Sequence, residues 1–250
     1  MKIFPVYNER ALYVEKEKAI VIADLHIGIE FEYSLQGVNI FPQTARFLNR
    51  IKKIIEEKRA EKVIILGDLK HVIAGKGKEE HKEALEKEKK EVRYFIKKLD
   101  EFADIYIIKG NHDGMLRSKR AKIIDAKGME MNGIAFVHGH AWPSESIMKN
   151  EIVVLAHIHP CIRVSTKIGY SYLMPCWVKG RFRRKDFLKI YKKGNDKMEF
   201  IIMPAFNPLC GGIAVNREML IGPMSKIMDI RNSYVYMLNG INLGRIRNLI

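Results

Sequence analysis

Short apolar runs alternate with amphipathic stretches in the first half of the chain. Runs rich in β-branched residues predict buried strands, at Ala19–Ala23, Val63–Leu66, Ile105–Ile108, Ile134–Val137 and Ile152–Leu155. Between the first three runs, apolar residues recur at helical spacing and predict helices over Pro42–Glu57 and Glu79–Leu99. Strands that alternate with helices indicate an α/β fold whose first sheet is largely parallel.

The pattern changes after about residue 130, where short strand-like runs follow one another closely and glycine and proline interrupt them. A short helix is predicted near Ser144–Lys149. Further strands are predicted at Tyr170–Leu173, Phe187–Tyr191, Glu199–Met203 and Tyr234–Leu238. We therefore expect a second sheet packed on the first, in a single domain over residues 1–250.

The composition indicates a water-soluble globular protein. Apolar residues make up 47% of the 250 positions and charged residues 29%, which excludes disordered and fibrous classes. No apolar run approaches the ~20 residues of a membrane span, and the N-terminus lacks a signal-peptide core. A cytoplasmic protein with no membrane partner is expected. The three cysteines show no Cys-x-x-Cys spacing, which argues against a disulfide scaffold.

Positive charge is concentrated in the final third of the chain. The net charge is +15, and residues 160–250 contribute +11 of it. A polyanionic partner such as nucleic acid explains this excess, and so does a solvated basic surface. Charge alone does not decide between them.

Each of the five predicted strands is followed by residue types that bind metals. They occur as Asp24-Leu25-His26, Gly67-Asp68-Leu69-Lys70-His71, Gly110-Asn111-His112-Asp113, His138-Gly139-His140 and His157-Ile158-His159. Open α/β sheets place their sites at the carboxyl ends of strands. On an extended chain, residues two apart point the same way, so Asp24 with His26, and His157 with His159, are expected to act as pairs.

The number of potential ligands exceeds what one ion needs. Seven groups qualify, namely Asp24, His26, Asp68, Asn111, His138, His157 and His159. Aspartate, histidine and asparagine together suit manganese, iron or zinc. A carboxylate such as Asp68 can bridge two ions, and two ions about 3.5–4 Å apart are the usual device for displacement at phosphorus. We predict two divalent ions, with Mn²⁺ favoured and iron, zinc or nickel as alternatives.

The series Asp-x-His, Gly-Asp-x-x-His, Gly-Asn-His-Asp, His-Gly-His and Ala-His-x-His resembles the calcineurin-like metallophosphoesterases, in order, over roughly residues 19–160. In its longer details it is similar to the archaeal branch related to the repair nuclease SbcD, and to the bacterial phosphodiesterase PdeM. The resemblance implies a four-layer α/β/β/α sandwich of two packed mixed sheets, with the site at one edge.

The resemblance also implies roles for single residues. One ion is expected on Asp24, His26 and His159, and the other on Asn111, His138 and His157, with Asp68 bridging the two. Three catalytic roles follow: His112 as phosphate contact and general acid, Asp113 as the residue that orients it, and His71 as a further phosphate contact. His140 is expected to support a ligand rather than bind an ion, and the role of Lys70 stays open between a phosphate contact and a solvated side chain.

These features predict a phosphodiesterase, with nucleic acid as the favoured substrate. The alternatives are a small-molecule phosphodiesterase or phosphatase, and a non-catalytic nucleic-acid-binding scaffold. Since the chain ends at residue 250, little room is left for the capping domain and ATPase-docking segment of SbcD-like nucleases. A stable complex with an SbcC-type ATPase is therefore not expected, and the sequence does not predict an oligomeric state.

Cations and aromatic residues interleave between Trp177 and Lys193. A basic groove with aromatic platforms is typical of surfaces that bind nucleic-acid strands. Arg181, Arg183 and Arg184 are the predicted phosphate contacts. Phe187–Tyr191 is predicted instead as a core strand with its charges in solvent.

Overall fold

The computed structural model describes residues 3–71 and 79–249. The first of its two sheets has six strands in sequence order: β1 (Ile3–Pro5), β2 (Leu12–Val14), β3 (Ala19–Ile22), β4 (Lys62–Leu66), β5 (Asp104–Ile108) and β6 (Lys122–Ile124). The pairs β1–β2 and β2–β3 are antiparallel, whereas β3, β4, β5 and β6 run parallel to one another. The predicted parallel sheet is confirmed, and the carboxyl ends of β3 to β5 lie at one edge.

Helices cover the outer face of this sheet, because their apolar residues recur on one side. They are α1 (Ile29–Leu35), α2 (Thr44–Lys58) and α3 (Glu79–Leu99). From α2, Phe47 and Ile51 are fully buried, and from α3, Phe95 and Leu99 are fully buried in the same core. Both predicted helices are confirmed. None of the described helices is both long and apolar enough to cross a membrane.

The second sheet has nine strands and is mixed. They are β7 (Met129–Met131), β8 (Ile134–Phe136), β9 (Ile152–Leu155), β10 (Pro160–Ser165), β11 (Ser171–Arg181), β12 (Glu199–Ile202), β13 (Ile213–Ala214), β14 (Tyr234–Met237) and β15 (Asn242–Arg245). The strand order is β13-β10-β11-β12-β9-β8-β7, with β14 beside β11 and β15 beside β14. Strands β8, β9 and β12 are parallel, so β8 and β9 end at the same edge.

Apolar side chains fill the space between the two sheets. Val21 and Ile64 from the first sheet meet Phe136, Val154 and Trp177 from the second. A further core lies on the other face of the second sheet, beneath α4 (Arg184–Ile190). The expected four-layer α/β/β/α sandwich is confirmed. A strand that is covered on both faces reads as a continuous apolar run in the sequence. For this reason the five predicted runs match strands of the structure, namely β3, β4, β5, β8 and β9.

The predicted strand at Phe187–Tyr191 is wrong. Residues 184–190 form α4, and Phe187 and Tyr191, four positions apart, lie on the same side of it with ring centroids 5.3 Å apart. Phe187 also packs on Phe182, with centroids 5.2 Å apart. Apolar residues three or four positions apart lie on one face of a helix, as Phe187 and Tyr191 do here. Their packing outweighs the β propensity of the segment. Near Ser144–Lys149 the chain makes only a 3₁₀ turn, at Ile147–Lys149.

Candidate metal centre

The segments that follow β3, β4, β5, β8 and β9 meet at one edge of the sandwich. Their backbones are joined directly: the amide of Asp24 donates to the carbonyl of Gly67 (3.1 Å) and the amide of His26 to that of Asp68 (2.9 Å). In the second sheet, the amide of Ala156 donates to the carbonyl of His138 (2.9 Å). The polar residues after separate strands are therefore held in one cluster.

The backbone in these segments is not extended, contrary to the expectation from the sequence. The residues with a left-handed backbone are Asp24 (φ 53°), His26 (φ 42°), Asp68 (φ 48°), His157 (φ 68°) and His159 (φ 48°). For residues other than glycine this conformation is uncommon, and such residues cluster at functional sites. Asp24 and His26 nevertheless belong to the same group of potential ligands, whereas His157 and His159 belong to different groups.

Among the described residues, three groups of three side chains have ligand atoms close enough to hold an ion. One consists of histidines alone, His26, His71 and His112, and the two others include a carboxylate. In the first of these two ligand groups, ligand atoms of Asp24, His26 and His159 lie within 4.8 Å of one another; the second joins Asp68, His138 and His157. The two ligand groups adjoin, because Nε2 of His138 is 3.3 Å and Nε2 of His26 is 3.6 Å from the same Asp68 oxygen, Oδ2. The oxygen of Asn111 lies 3.3 Å from His138 Nε2. This arrangement parallels the allocation that the family resemblance implies.

Backbone carbonyls orient two of the imidazole rings. His138 Nδ1 lies 2.7 Å from the carbonyl oxygen of Leu66, and His159 Nδ1 lies 3.0 Å from that of Gly211. A proton on each Nδ1 is donated to the carbonyl, which leaves Nε2 to face the carboxylates. Hydrogen bonds of this kind commonly orient metal-binding histidines.

Burial and charge act against each other on the titrating groups. Burial alone would lower the pKa of His138, but the hydrogen bond to Asp68 and the charges of Asp68 and Asp24 raise it to about 9. Burial lowers the pKa of His26 to about 3 and that of His157 to about 4. Burial also opposes ionisation of Asp68, yet the hydrogen bond from His138 holds the pKa of Asp68 well below its usual range. The cluster thus keeps carboxylates ionised in the interior.

The residues present fit divalent cations. Asp24 is completely buried, and its Oδ1 accepts no hydrogen bond of normal geometry from the described part of the chain. Its nearest histidine nitrogens are His159 Nε2 at 3.4 Å and His138 Nδ1 at 3.6 Å. A buried, unsatisfied carboxylate oxygen is costly unless a cation compensates it. The donors are carboxylates and imidazoles, a set that suits manganese, iron or zinc.

His112 lies beside this cluster and lines a cleft of about 380 Å³, which is also lined by His26, Asp68 and His159. Its backbone amide donates to Asp68 Oδ1 (2.9 Å), and its Nδ1 makes a short hydrogen bond to the carbonyl of His71. The described contact that orients the imidazole is therefore with a backbone carbonyl, and the described hydrogen bonds of the Asp113 carboxylate are to backbone amides.

Asp113 instead holds the loops that carry the other residues. Its buried carboxylate accepts from the amides of Gly110 (2.9 Å), Leu69 (3.1 Å) and Lys70 (3.3 Å). It therefore fixes the loop after β5 against the loop after β4, and acts on His112 through the backbone. The side chain of Lys70 is partly buried, and no described contact decides its role.

Sequence reasoning missed two glutamates that hold His71. Nε2 of His71 lies 2.6 Å from Glu32 Oε2, while its Nδ1 lies 3.2 Å from Nδ1 of His26. The amide of His71 donates to Glu88 Oε2 (2.9 Å), and Glu88 is buried within α3. The available signal for Glu88 was its position four residues before Val92, on the face of the predicted helix that is otherwise apolar. Glu32 lies in α1, which the sequence pattern did not predict.

Two further sets of sequence candidates lie in different places. His140 is beside the cluster, whereas Arg181 lies at the opposite end of the second sheet, because it pairs in register with Glu199, which pairs with Ile152 at the start of β9. The ring of His140 is 5.1 Å from that of His138 and 6.0 Å from that of His157, centroid to centroid. The three arginines after β11 each pair with an acid: Arg181 with Glu199 (3.4 Å), Arg183 with Asp186 (2.7 Å) and Arg184 with Asp196 (2.5 Å). Contact between these arginines and nucleic acid stays a prediction.

Among solved structures, that of a nuclease shares the fold of this chain. The nuclease MPE of Pseudomonas putida is 20% identical and aligns over 97% of this chain and 100% of its own, with a TM-score of 0.56. At this identity the likeness shows the fold alone. The phosphoesterase YfcE of E. coli is 13% identical over 91% of this chain and 97% of its own, with a TM-score of 0.34.

No curated protein matches the sequence significantly. The sequence profile of the calcineurin-like phosphoesterases, however, matches residues 18–202, which is most of the chain. That span contains every member of the two ligand groups and the His112 loop. The chain therefore belongs to the calcineurin-like phosphoesterase family.

Proposed function

We propose that this protein is a metal-dependent phosphodiesterase that holds two divalent ions and acts on nucleic acid. The observation that carries the proposal is the contact of one carboxylate, Asp68, with both ligand groups: with His26 on one side and His138 on the other, at 3.6 and 3.3 Å. A shared carboxylate between two sets of nitrogen and oxygen donors is the arrangement that two-metal hydrolases use.

In this proposal the residues divide as the family resemblance implies. Asp24, His26 and His159 would hold one ion, Asn111, His138 and His157 would hold the second, and Asp68 would be shared between them. Two ions there would activate water and neutralise charge on the phosphate. Manganese is the proposed ion, with iron, zinc or nickel as alternatives, because the donors are oxygen and nitrogen without thiolate.

His112 is proposed to protonate the leaving oxygen. Because its Nδ1 proton is donated to the carbonyl of His71, the proton available for transfer is the one on Nε2. An alkoxide leaves slowly unless it is protonated, and general acid catalysis of this step contributes roughly 10²–10⁴-fold. Asp113 holds the loop of His112 in place through its backbone bonds, and His71, fixed by Glu32, is a proposed phosphate contact.

Charge supports nucleic acid as the substrate. Residues 160–250 carry a net charge of +11, and a polyphosphate strand binds such a surface through release of its counterions. The proposal also places the protein in the SbcD- and PdeM-like branch of the family and in the cytoplasm.

The test compares four substrates with one preparation of protein. Metal is removed by chelation, Mn²⁺ is added back, and hydrolysis is measured with bis-p-nitrophenyl phosphate, a mononucleotide, single-stranded DNA and double-stranded DNA. We expect Mn²⁺ to restore cleavage of the diester and of at least one DNA. A preference for the mononucleotide would indicate a phosphatase, and binding of DNA with no hydrolysis of any substrate would indicate a scaffold.

A further inference from the structure

A second and larger cavity opens beside the candidate metal centre. It has a volume of about 1280 Å³ and lies between residues 215–232 and the chain near Arg247. The strand β15 carries that chain back across the sheet, where the amide of Arg247 donates to the carbonyl of Arg231 (3.0 Å). The cavity is formed entirely by the basic final third of the chain.

A short ridge separates this cavity from the metal centre. Ile221 lines the metal-centre cleft, while its neighbours Leu220 and Gly222 line the cavity. Gly222 lies against the metal-binding loops, since a Cβ on it would be 2.8 Å from the carbonyl oxygen of Gly139 and 3.3 Å from the ring of His157. A ligand that crosses this ridge reaches both sites at once.

The lining of the cavity carries a net positive charge, because five cations, one of them Arg183, outnumber the two acids Glu218 and Asp229. Arg217, Lys226, Arg231 and Arg247 line it, are exposed, and make no ion pair within residues 3–71 and 79–249. Its two acids are already engaged. Glu218 Oε1 accepts from Arg163 (3.4 Å) and from the amide of Ala214 (3.2 Å), and Asp229 accepts from Asn232 (2.8 Å).

Apolar side chains form part of the same wall. Met219 is 93% exposed and Ile221 is 46% exposed, which places an apolar surface on the ridge itself. Met228 and Ile230 contribute further inside the cavity. A surface with cations alone would bind a small inorganic anion. A surface with cations next to exposed apolar side chains favours a ligand that has both phosphates and flat apolar groups. A nucleic-acid strand has this composition.

We infer that this cavity binds the stretch of single-stranded nucleic acid that adjoins the phosphate at the metal centre. Arg217, Arg231 and Arg247 contact successive backbone phosphates, and bases lie against Met219 and Ile221. The inference rests on the proposed function and specifies where its substrate lies. It also places the main phosphate contacts away from Arg181 and Arg184, whose guanidinium groups pair with acids.

The test removes three charges from the cavity and three from elsewhere. The cavity variant is Arg217→Gln/Arg231→Gln/Arg247→Gln. The control is Lys185→Gln/Lys189→Gln/Lys192→Gln, which changes the net charge equally with exposed residues on and just after α4. Binding of a fluorescent single-stranded 20-mer is measured in chelator across a range of salt concentrations. Thermal unfolding of both variants confirms that they are folded.

Each neutralised phosphate contributes about −0.7 to the slope of log K against log salt. The cavity variant should therefore lose about 2 units of slope relative to the parent protein, and the control should keep the parent slope. With Mn²⁺, the parent should cleave a 20-mer with a higher kcat/KM than a dinucleotide. The cavity variant should lose most of this advantage, and the control should keep it.

The outcomes separate the cavity from the proposed function. If the parent protein hydrolyses no phosphodiester with Mn²⁺, the proposed function fails. If it hydrolyses diesters but the two variants bind the 20-mer alike, the phosphodiesterase stands and the assignment of the cavity is wrong. If the parent cleaves diesters but binds no oligonucleotide, the assignment is likewise wrong, and a small diester becomes the substrate.

Discussion

The backbone amide of His112 donates a hydrogen bond to Oδ1 of Asp68, with the two atoms 2.9 Å apart. The other oxygen of Asp68 lies among histidines of both ligand groups, 3.3 Å from His138 Nε2 and 3.6 Å from His26 Nε2. One carboxylate therefore connects the residues proposed to hold the ions with the residue proposed to donate the proton. A change at this position should affect all of them.

Replacement Asp68→Asn should lower the occupancy of both ions. Asparagine keeps an oxygen that accepts from the His112 amide, so the loops should stay in place while the bridging charge is lost. Metal content after saturation and desalting, measured by mass spectrometry, reports the result. Asp125→Asn is the control, because Asp125 accepts from the amide of Lys127 at the surface. Full occupancy in Asp68→Asn would show that this carboxylate is not a ligand.

Replacement His112→Ala should leave both ions bound and slow the cleavage of diesters with poor leaving groups. The loss should be roughly 10²–10⁴-fold for an alkoxide leaving group, as expected for removal of a general acid. With bis-p-nitrophenyl phosphate the loss should be smaller, since nitrophenolate needs little protonation. Single-turnover rates with both substrates make the comparison. Equal losses would leave His112 with charge stabilisation alone.

The five strands that carry the site could be predicted because their signal is local. Each is an apolar run with both faces covered. A polar residue stands two or three positions after the end of each strand, namely Asp24, Asp68, Asn111, His138 and His157. Parallel strands then bring the polar residues to a common edge. The helix α4 was not predicted, because its short apolar pattern fits a strand as well as a helix. The packing of Phe187 on Phe182, which favours the helix, is visible only in the folded chain.

Contacts made across loops could not be predicted. The short bond from His112 to the carbonyl of His71, and the engagement of Asp113 by three amides, depend on the path of two loops distant in sequence. The cavity near Arg217 and Arg247 has no motif, because its walls come from turns that meet only in the folded chain. The sequence shows that the final third of the chain is basic. It does not show which of the cations there lack an acidic partner.

Replacement Gly110→Ala should destroy the site, whereas Gly114→Ala should preserve it. A Cβ on Gly110 would overlap the carboxylate oxygen and the amide nitrogen of Asp68, and would come within 2.8 Å of the carboxylate carbon. A Cβ on Gly114, four residues later in the chain, meets nothing within 4 Å. The comparison is made by metal content and by thermal unfolding with and without Mn²⁺. Equal metal content in the two variants would contradict the close packing of Gly110 against Asp68.

Glu17 should stabilise the fold in neutral solution but not in acid. It pairs with Lys62 (2.9 Å) and accepts from Asn132, thereby joining the first sheet to the turn before β8. The hydrogen bond from Lys62 holds the pKa of Glu17 below its ordinary value of 4.5. Because the folded-state pKa is the lower one, this stabilisation is present above 4.5 and is lost as the pH falls through the folded-state value.

Replacement Glu17→Gln should therefore cost about 0.5–1 kcal/mol at pH 7, with the difference disappearing in acid. Urea unfolding of both proteins at several pH values below 7 measures it. Glu101→Gln is the control, because Glu101 pairs with Lys98 at the exposed end of α3. A cost for Glu17→Gln that did not change with pH would indicate lost packing instead of lost charge.

Anomalous X-ray scattering from crystals soaked in Mn²⁺ tests the central claim most directly. Two ions should appear about 3.5–4 Å apart, the usual separation in two-metal hydrolases. One should lie among Asp24, His26 and His159, the other among Asn111, His138 and His157, with Asp68 in contact with both. A single ion, or two ions bound elsewhere in the chain, would contradict the two-metal account.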